Sequence, residues 1–306
     1  MMRNFTFPET LPEDIDELRY MHGVSASNEY FEATIEKLVS KLLHSKPFNS
    51  DEQLLKEAQA GSASAMNTVG LHYELGLSSL PVDCQEAFSF YSKSAATGDV
   101  GALYNLGDVY ERCEKDLSLV YDYGIEDKIS QKNADEAGEL LHRLAVECYV
   151  KAAEKNFAPA IYRLGNFAED AADFESALKL YKSASDLNYP PAQNALGYYK
   201  MNGIMTSVDR KSAMNLYEKA AGAKYAPAIY NYAHAMELED IEKAARCYSE
   251  IAYLIPQASF ALAQIYERSL HDLRLAINYY RIAYEGGIRK ARENLRHCQD
   301  ILFGKK

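Results

Sequence analysis

Apolar side chains recur along most of the chain at three- and four-residue spacing, the period of a helix with one buried face, and no alternating strand pattern competes with it. The helices it predicts are copies of one another. In GALYNLGDVYE (101–111), PAIYRLGNFAE (159–169), PAQNALGYYKM (191–201), PAIYNYAHAME (227–237) and QASFALAQIYE (257–267), an Ala stands five residues before a Gly or a second Ala. The pairs are Ala102/Gly107, Ala160/Gly165, Ala192/Gly197, Ala228/Ala233 and Ala258/Ala263, and Ala65/Gly70 in SAMNTVGLHYE makes a sixth. Between them lie segments in which an aromatic precedes small residues: FYSKSAATG, CYVKAAEKN, LYKSASDLN, LYEKAAGAK, CYSEIAYLI and YYRIAYEGG. From Tyr91, Tyr149, Tyr181 and Tyr217 to the next Ala anchor is eleven residues, as it is from Leu54 to Ala65 and from Tyr280 to Ala291; only Tyr248 to Ala258 is ten. A fixed interval from the second helix (B) to the next first helix (A), beside a variable interval from A to B, predicts one rigid joint and one tolerant loop per repeat. Two short helices cannot bury their apolar faces alone, so the copies must stack.

Two copies carry a fuller motif. LGYYKMNGIMTSVDRKSAMNLYEKAAGAKYAPA (196–228) holds Leu-Gly, an aromatic, a loop Gly, an Asp, Lys-x-Ala, Tyr, Lys-Ala-Ala and a closing Ala. VGLHYELGLSSLPVDCQEAFSFYSKSAATGDVGA (69–102) matches at Gly70, Tyr73, Gly76, Asp83, Ala87, Tyr91 and Ala95. These stretches resemble Sel-1-like repeats, while the anchor spacings of 37, 58, 32, 36 and 30 scatter around and above the ~34 of tetratricopeptide repeats. The resemblance implies an all-α, right-handed α-solenoid of stacked antiparallel helix pairs, acting as an adaptor or scaffold in protein complexes. It covers residues 51–298 in about six repeats. Residues 1–50 read as an N-terminal arm with a capping helix in ASNEYFEATIEKLVSKLLHSKP, whose Phe31, Ile35, Leu38, Val39 and Leu42 form a stripe; residues 299–306 read as a tail.

The 58-residue spacing places an insertion near 112–133, between A and B helices. NADEAGELLHRLAVECYVKAAEKN after it predicts an extended B helix. Leu117, Leu119, Val120, Tyr121, Tyr123 and Ile125 are too apolar for a free loop; the expected cover is the protein's own N-terminal helix, the alternative a partner that Tyr121 and Tyr123 would contact.

Charge narrows the class of partner. With 33 basic against 44 acidic side chains the net charge is −11, which disfavours nucleic acid and anionic membranes and points to a basic protein or peptide. Cysteines 84, 113, 148, 247 and 298 form no CxxC pair and no period, as for free thiols in a reducing compartment, and neither a signal h-region nor a membrane span is evident. A cytoplasmic, monomeric protein is expected.

Candidate chemistry is sparse. His234 and Cys247 fall on different helices of one pair, in columns otherwise filled by varied residues, and the Cys column reads as core packing. His297 and Cys298 diverge by about 100° on a helix and cannot share an ion. GSASA (61–65) lacks the second Gly of a nucleophile elbow, and no GxGxxG, P-loop or HExxH occurs. No catalytic residue, metal or cofactor is expected.

What remains is surface. By resemblance, the A-helix positions ahead of Leu-Gly face an inner groove, and they read Asn67, Tyr104, Tyr162, Asn194, Tyr230 and Phe260, followed by Asn105, Arg163 and Asn231. Tyr198 and His234 stand just after the small anchor. Four residues past it comes a row of Glu74, Glu111, Glu169, Glu237 and Glu267, broken by Met201. The expected function is a non-enzymatic adaptor holding a protein or peptide in a Tyr-lined acidic groove; the alternative is a specific inhibitor or immunity protein that neutralises a bacterial toxin or effector.

Overall fold

The computed structural model describes residues 51–77 and 79–304, so the expected N-terminal arm and capping helix lie outside the described residues. Those residues are helical, with no strand among them, and fall into two compact units divided between Tyr189 and Pro190.

The first unit opens with a lone B helix, α1 (Asp51–Gln59), and continues with the pair α2 (Ala63–Leu75) and α3 (Cys84–Ala96). Next come α4 (Val100–Lys115), the one-turn α5 (Leu119–Asp122), a 3-10 turn at Glu126–Lys128, and α6 (Ala134–Ala153), the extended B helix expected after the insertion. The pair α7 (Ala158–Asp170) and α8 (Phe174–Asp186) closes it. The second unit pairs α9 (Pro190–Asn202) with α10 (Arg210–Gly222), α11 (Ala226–Met236) with α12 (Ile241–Ile251), and α13 (Pro256–Arg268) with α14 (Leu273–Glu285). Its last helix, α15 (Ala291–Phe303), runs past the boundary expected at residue 298.

The small anchors hold each pair together. Ala102, Ala160, Ala192, Ala228 and Ala258 are fully buried, as are the rings of Tyr91, Tyr149, Tyr248 and Tyr280, with Tyr181 and Tyr217 nearly so. Each such ring withdraws apolar area worth about 1.5–3 kcal/mol. Gly70, Gly107, Gly165 and Gly197 lie against Tyr91, Tyr149, Tyr181 and Tyr217 so closely that a Cβ would stand 2.6–2.8 Å from the ring.

Both intervals of the repeat have a structural cause. At six B-to-A joints a residue enters the left-handed region: Gly61, Gly98, Asn156, Asn188, Lys224 and Gly287, with φ between 58° and 95°. The next N–H then reaches back five residues, as from Phe157 to the Ala152 carbonyl at 3.2 Å and from Tyr189 to Ala184 at 3.2 Å, which is the Schellman closure. The ten-residue joint between α12 and α13 has no positive φ, and the Ile255 N–H reaches back only four residues, to Ile251. The A-to-B loops are free to vary because the B helix carries its own start signal. Asp83, Asn133, Asp173, Asp209, Asp240 and Asp272 each accept a hydrogen bond from the backbone N–H three residues on.

The insertion packs into the first unit, while the N-terminal helix expected to cover it lies outside the described residues. Val120, Tyr123 and Ile125 are buried in one core cluster with Tyr91 of α3, Val109 and Cys113 of α4 and Leu141 of α6, so neighbouring helices of the first unit cover them. The Tyr123 hydroxyl donates to Glu74 Oε1 at 3.0 Å and the Arg112 guanidinium lies 5.4 Å from its ring, whereas Tyr121 is 66 % exposed.

Candidate functional site

The glutamate row is not a free groove lining. Tyr91 donates from its hydroxyl to Glu74 at 2.6 Å, Tyr149 to Glu111 at 3.1 Å and Tyr181 to Glu169 at 2.6 Å; Tyr248 and Tyr280 do the same to Glu237 and Glu267. The glutamate sits nine residues past the Ala anchor, which turns it toward the B-helix tyrosine of its own pair. Small anchor, ring and carboxylate thus form one clamp: the glycine admits the ring and the carboxylate takes its hydroxyl. Burial raises the phenol pKa of Tyr91, Tyr149 and Tyr248 far above its ordinary value, and the neighbouring carboxylates add to the shift.

Two of these carboxylates also join repeats. Arg112 donates to Glu74 of the preceding pair and Arg163 to Glu111. Glu111 further accepts from Lys115 at 2.7 Å and is itself buried. Burial pushes the Glu111 carboxyl up, but Lys115 and Arg163 outweigh it and hold the group below the ordinary carboxylate value. Arg112, which also pairs with Asp108 at 3.0 Å, went unnoticed in the sequence; its only signal is its place directly after the glutamate column.

The tyrosines read as groove anchors are half-buried packing. Tyr104, Tyr162 and Tyr230 pack at a tilt against Tyr149, Tyr181 and Tyr248 with ring centroids 5.5, 5.6 and 5.5 Å apart, and Phe260 meets Tyr280 at 5.6 Å. Burial, with Asp108 beside it, lifts the Tyr104 phenol to about 12.

The asparagines bridge successive A helices. Asn105 Nδ2 donates to Asn67 Oδ1 at 2.9 Å in the first unit, and Asn231 Nδ2 to Asn194 Oδ1 at 2.8 Å in the second. In each unit these A helices touch, α2 with α4 and α9 with α11, so their asparagine-bearing sides share a face. The positions after the small anchor stand beside it: Leu71 and Asp108 in the first unit, Tyr198 and His234 in the second. Leu71, Tyr198 and His234 are exposed, the last with Nδ1 3.2 Å from Glu237 and its ring stacked on Tyr230. The structure therefore brings Asn105, Arg163, Asn194, Tyr198, Asn231 and His234 to the A-helix faces, and withdraws Glu111 and Tyr123 into the core.

Among the described residues no group of three His, Cys, Asp or Glu could hold a metal ion, and no helix is long and apolar enough to cross a membrane. Cys113, Cys148 and Cys298 are buried, Cys84 and Cys247 half-buried, and all five are free thiols.

A family model described as Sel1 repeat matches residues 63–99, 100–157, 158–189, 190–225 and 256–288. It passes over the α11–α12 pair, although the Tyr248–Glu237 clamp is intact there. The fold is similar to that of a Sel1 repeat protein from Oxalobacter formigenes, with a TM-score of 0.60 at 22 % identity over 84 % of this chain and 98 % of that one. It is similar also to a protective antigen of uropathogenic Escherichia coli that displays an SLR fold, with a TM-score of 0.60 at 18 % identity over 94 % of this chain. The chain spans 63 % of that antigen's length. No curated protein matches the sequence.

Proposed function

Since the chain belongs to the Sel1 repeat family, whose members generally mediate protein–protein interactions, we propose that it is a non-catalytic adaptor that holds a protein or peptide partner across its A-helix faces. The observation that carries this reading is the pair of inter-repeat amide bridges. Asn67–Asn105 and Asn194–Asn231 use one donor and one acceptor in each pair, leaving further amide N–H and C=O groups on a half-exposed face. A partner backbone presents the complementary groups. The Tyr–Glu clamps support the reading by subtraction, because they account for the acidic row, the packed tyrosines and Arg163 within the fold and leave Asn105, Asn194, Tyr198, Asn231 and His234 as the contact set. A cytoplasmic site of action and a monomeric state go with this proposal.

The test is site-specific photo-cross-linking in cells. A photoreactive residue at Asn194 or His234, both on A helices of the second unit, should capture one protein in common, and the same residue at Lys219 on a B helix of that unit should not. Capture from Lys219 or the exposed Tyr121, with none from the A-helix sites, would overturn the adaptor face.

A further inference from the structure

One repeat lacks half of the clamp. The α9–α10 pair keeps the small anchor and the ring: a Cβ on Gly197 would stand 2.7 Å from Tyr217, and Tyr217 is only 2 % exposed. The acceptor is missing. In the α7–α8 pair the Tyr181 hydroxyl donates to Asn166 Oδ1 at 3.0 Å and to Glu169 at 2.6 Å, whereas Tyr198 and Met201 occupy those two places in α9. No hydrogen-bond acceptor for the Tyr217 hydroxyl stands among the described residues. Met201 instead packs in a small apolar cluster with Ala213, Tyr217 and Tyr232.

We propose that the α9–α10 pair is a carboxylate-binding subsite of the partner face, in which a Glu or Asp side chain of the partner takes the hydrogen bonds of Tyr217 and Tyr198 that the other repeats supply with their own glutamate. The subsite rests on the adaptor reading for its biological partner, but not for its chemistry. The Tyr217 hydroxyl lacks the carboxylate that the other repeats supply, so an incoming carboxylate offers it a charge-assisted hydrogen bond that the fold leaves open. Tyr198, the residue after Gly197 on α9, has half of its surface open. Charge agrees. The chain as a whole is −11, yet residues 190–222 carry four cations, Lys200, Arg210, Lys211 and Lys219, against Asp209 and Glu218. The α9 helix holds Lys200 and, like α11, no carboxylate, whereas α2, α4, α7 and α13 each carry at least one acid. An acidic side chain approaching α9 is not repelled by it.

The test uses the full chain with 13C-labelled tyrosine rings and two neutral-backbone probes, N-acetylglutamate N-methylamide and its glutamine counterpart. The glutamate probe should shift the Tyr217 and Tyr198 ring signals saturably and the glutamine probe should not. Tyr217→Phe should weaken the glutamate probe about tenfold, the loss of one hydrogen bond to a charged group, while leaving the melting temperature unchanged. Tyr198→Phe, at an exposed site where folding is not at risk, should weaken it as well. Met201→Glu should restore the internal clamp, raise the melting temperature and abolish binding of the probe. Absence of a saturable shift, equal binding of the glutamine probe, or undiminished binding to Met201→Glu would each overturn the subsite. The probes are not the partner, so any of these results would leave the adaptor reading to the cross-linking experiment.

Discussion

Gly165 and Tyr181 meet hydrogen to ring: a Cβ on the glycine would stand 2.6 Å from Tyr181 Cε1, on an aromatic side chain that is itself 1 % exposed and held at its far end by Glu169. A ring pinned at both ends cannot give way. Gly165→Ala is therefore expected to destabilise by about 1–3 kcal/mol through overpacking. Gly222, in α10, has nothing within 4 Å of its Cβ position, and Gly222→Ala should stabilise by about 0.4–1 kcal/mol through the unfolded chain. Urea midpoints of the two variants decide it; changes of the same sign would refute the assigned register.

Glu111→Gln keeps the shape of the side chain and removes the charge that faces Arg163 and Lys115. With Glu111 buried and Arg163 largely so, the loss should be about 3–5 kcal/mol, as when one partner of a buried pair is removed. The folded-state pKa of Glu111 lies below its ordinary value of 4.5, so its contribution is fully present above pH 4.5 and fades as pH falls through the folded value. Denaturation curves between neutral and acidic pH should converge for wild type and Glu111→Gln at the acid end. Curves that stay parallel would mean the carboxylate is not paired in solution.

Tyr162→Ala should lower stability by about 2–4 kcal/mol, because the ring packs on Tyr181 and Tyr189. Tyr198→Ala, at an exposed position, should stay within about 0.5 kcal/mol of wild type. Thermal melts of both variants separate a packing role from a contact role. An unchanged melt for Tyr162→Ala would return it to the contact set.

Thiol reactivity should divide the cysteines by burial. Burial lifts the Cys113 thiol to about 12 and those of Cys148 and Cys298 to about 11, so little thiolate forms at neutral pH. Cys84 and Cys247, only half-buried, should react first with a maleimide on the folded protein, as peptide mass mapping over time would show. Early modification of Cys113 would show that the α4–α6 pair opens.

The helices, their pairing and the two kinds of interval were legible in the sequence, because small anchors and aromatic residues recur at spacings only a helix stack satisfies. The roles of Glu111 and Tyr162 were not. A Glu on the visible face of one helix looks solvated until the partner helix is in place, and only the fold shows that nine residues past Ala102 points at Tyr149. The asparagines were visible as an A-helix row, but their bridges to the next repeat were not. Met201 was visible as a break in the glutamate row, but its meaning depends on the Tyr217 hydroxyl that the break leaves unpaired.

The Tyr–Glu clamps also set an order of assembly. Glu237–Tyr248, Glu169–Tyr181 and Glu267–Tyr280 join residues only 11, 12 and 13 apart, but Glu111–Tyr149 must close 38. Chain closure over 38 residues rather than 12 costs about 1 kcal/mol more entropy. Pairs with short closures can zip as local hairpins early in refolding, while the α4–α6 pair, with its inserted segment threaded into the same core, becomes the slow step that completes the first unit.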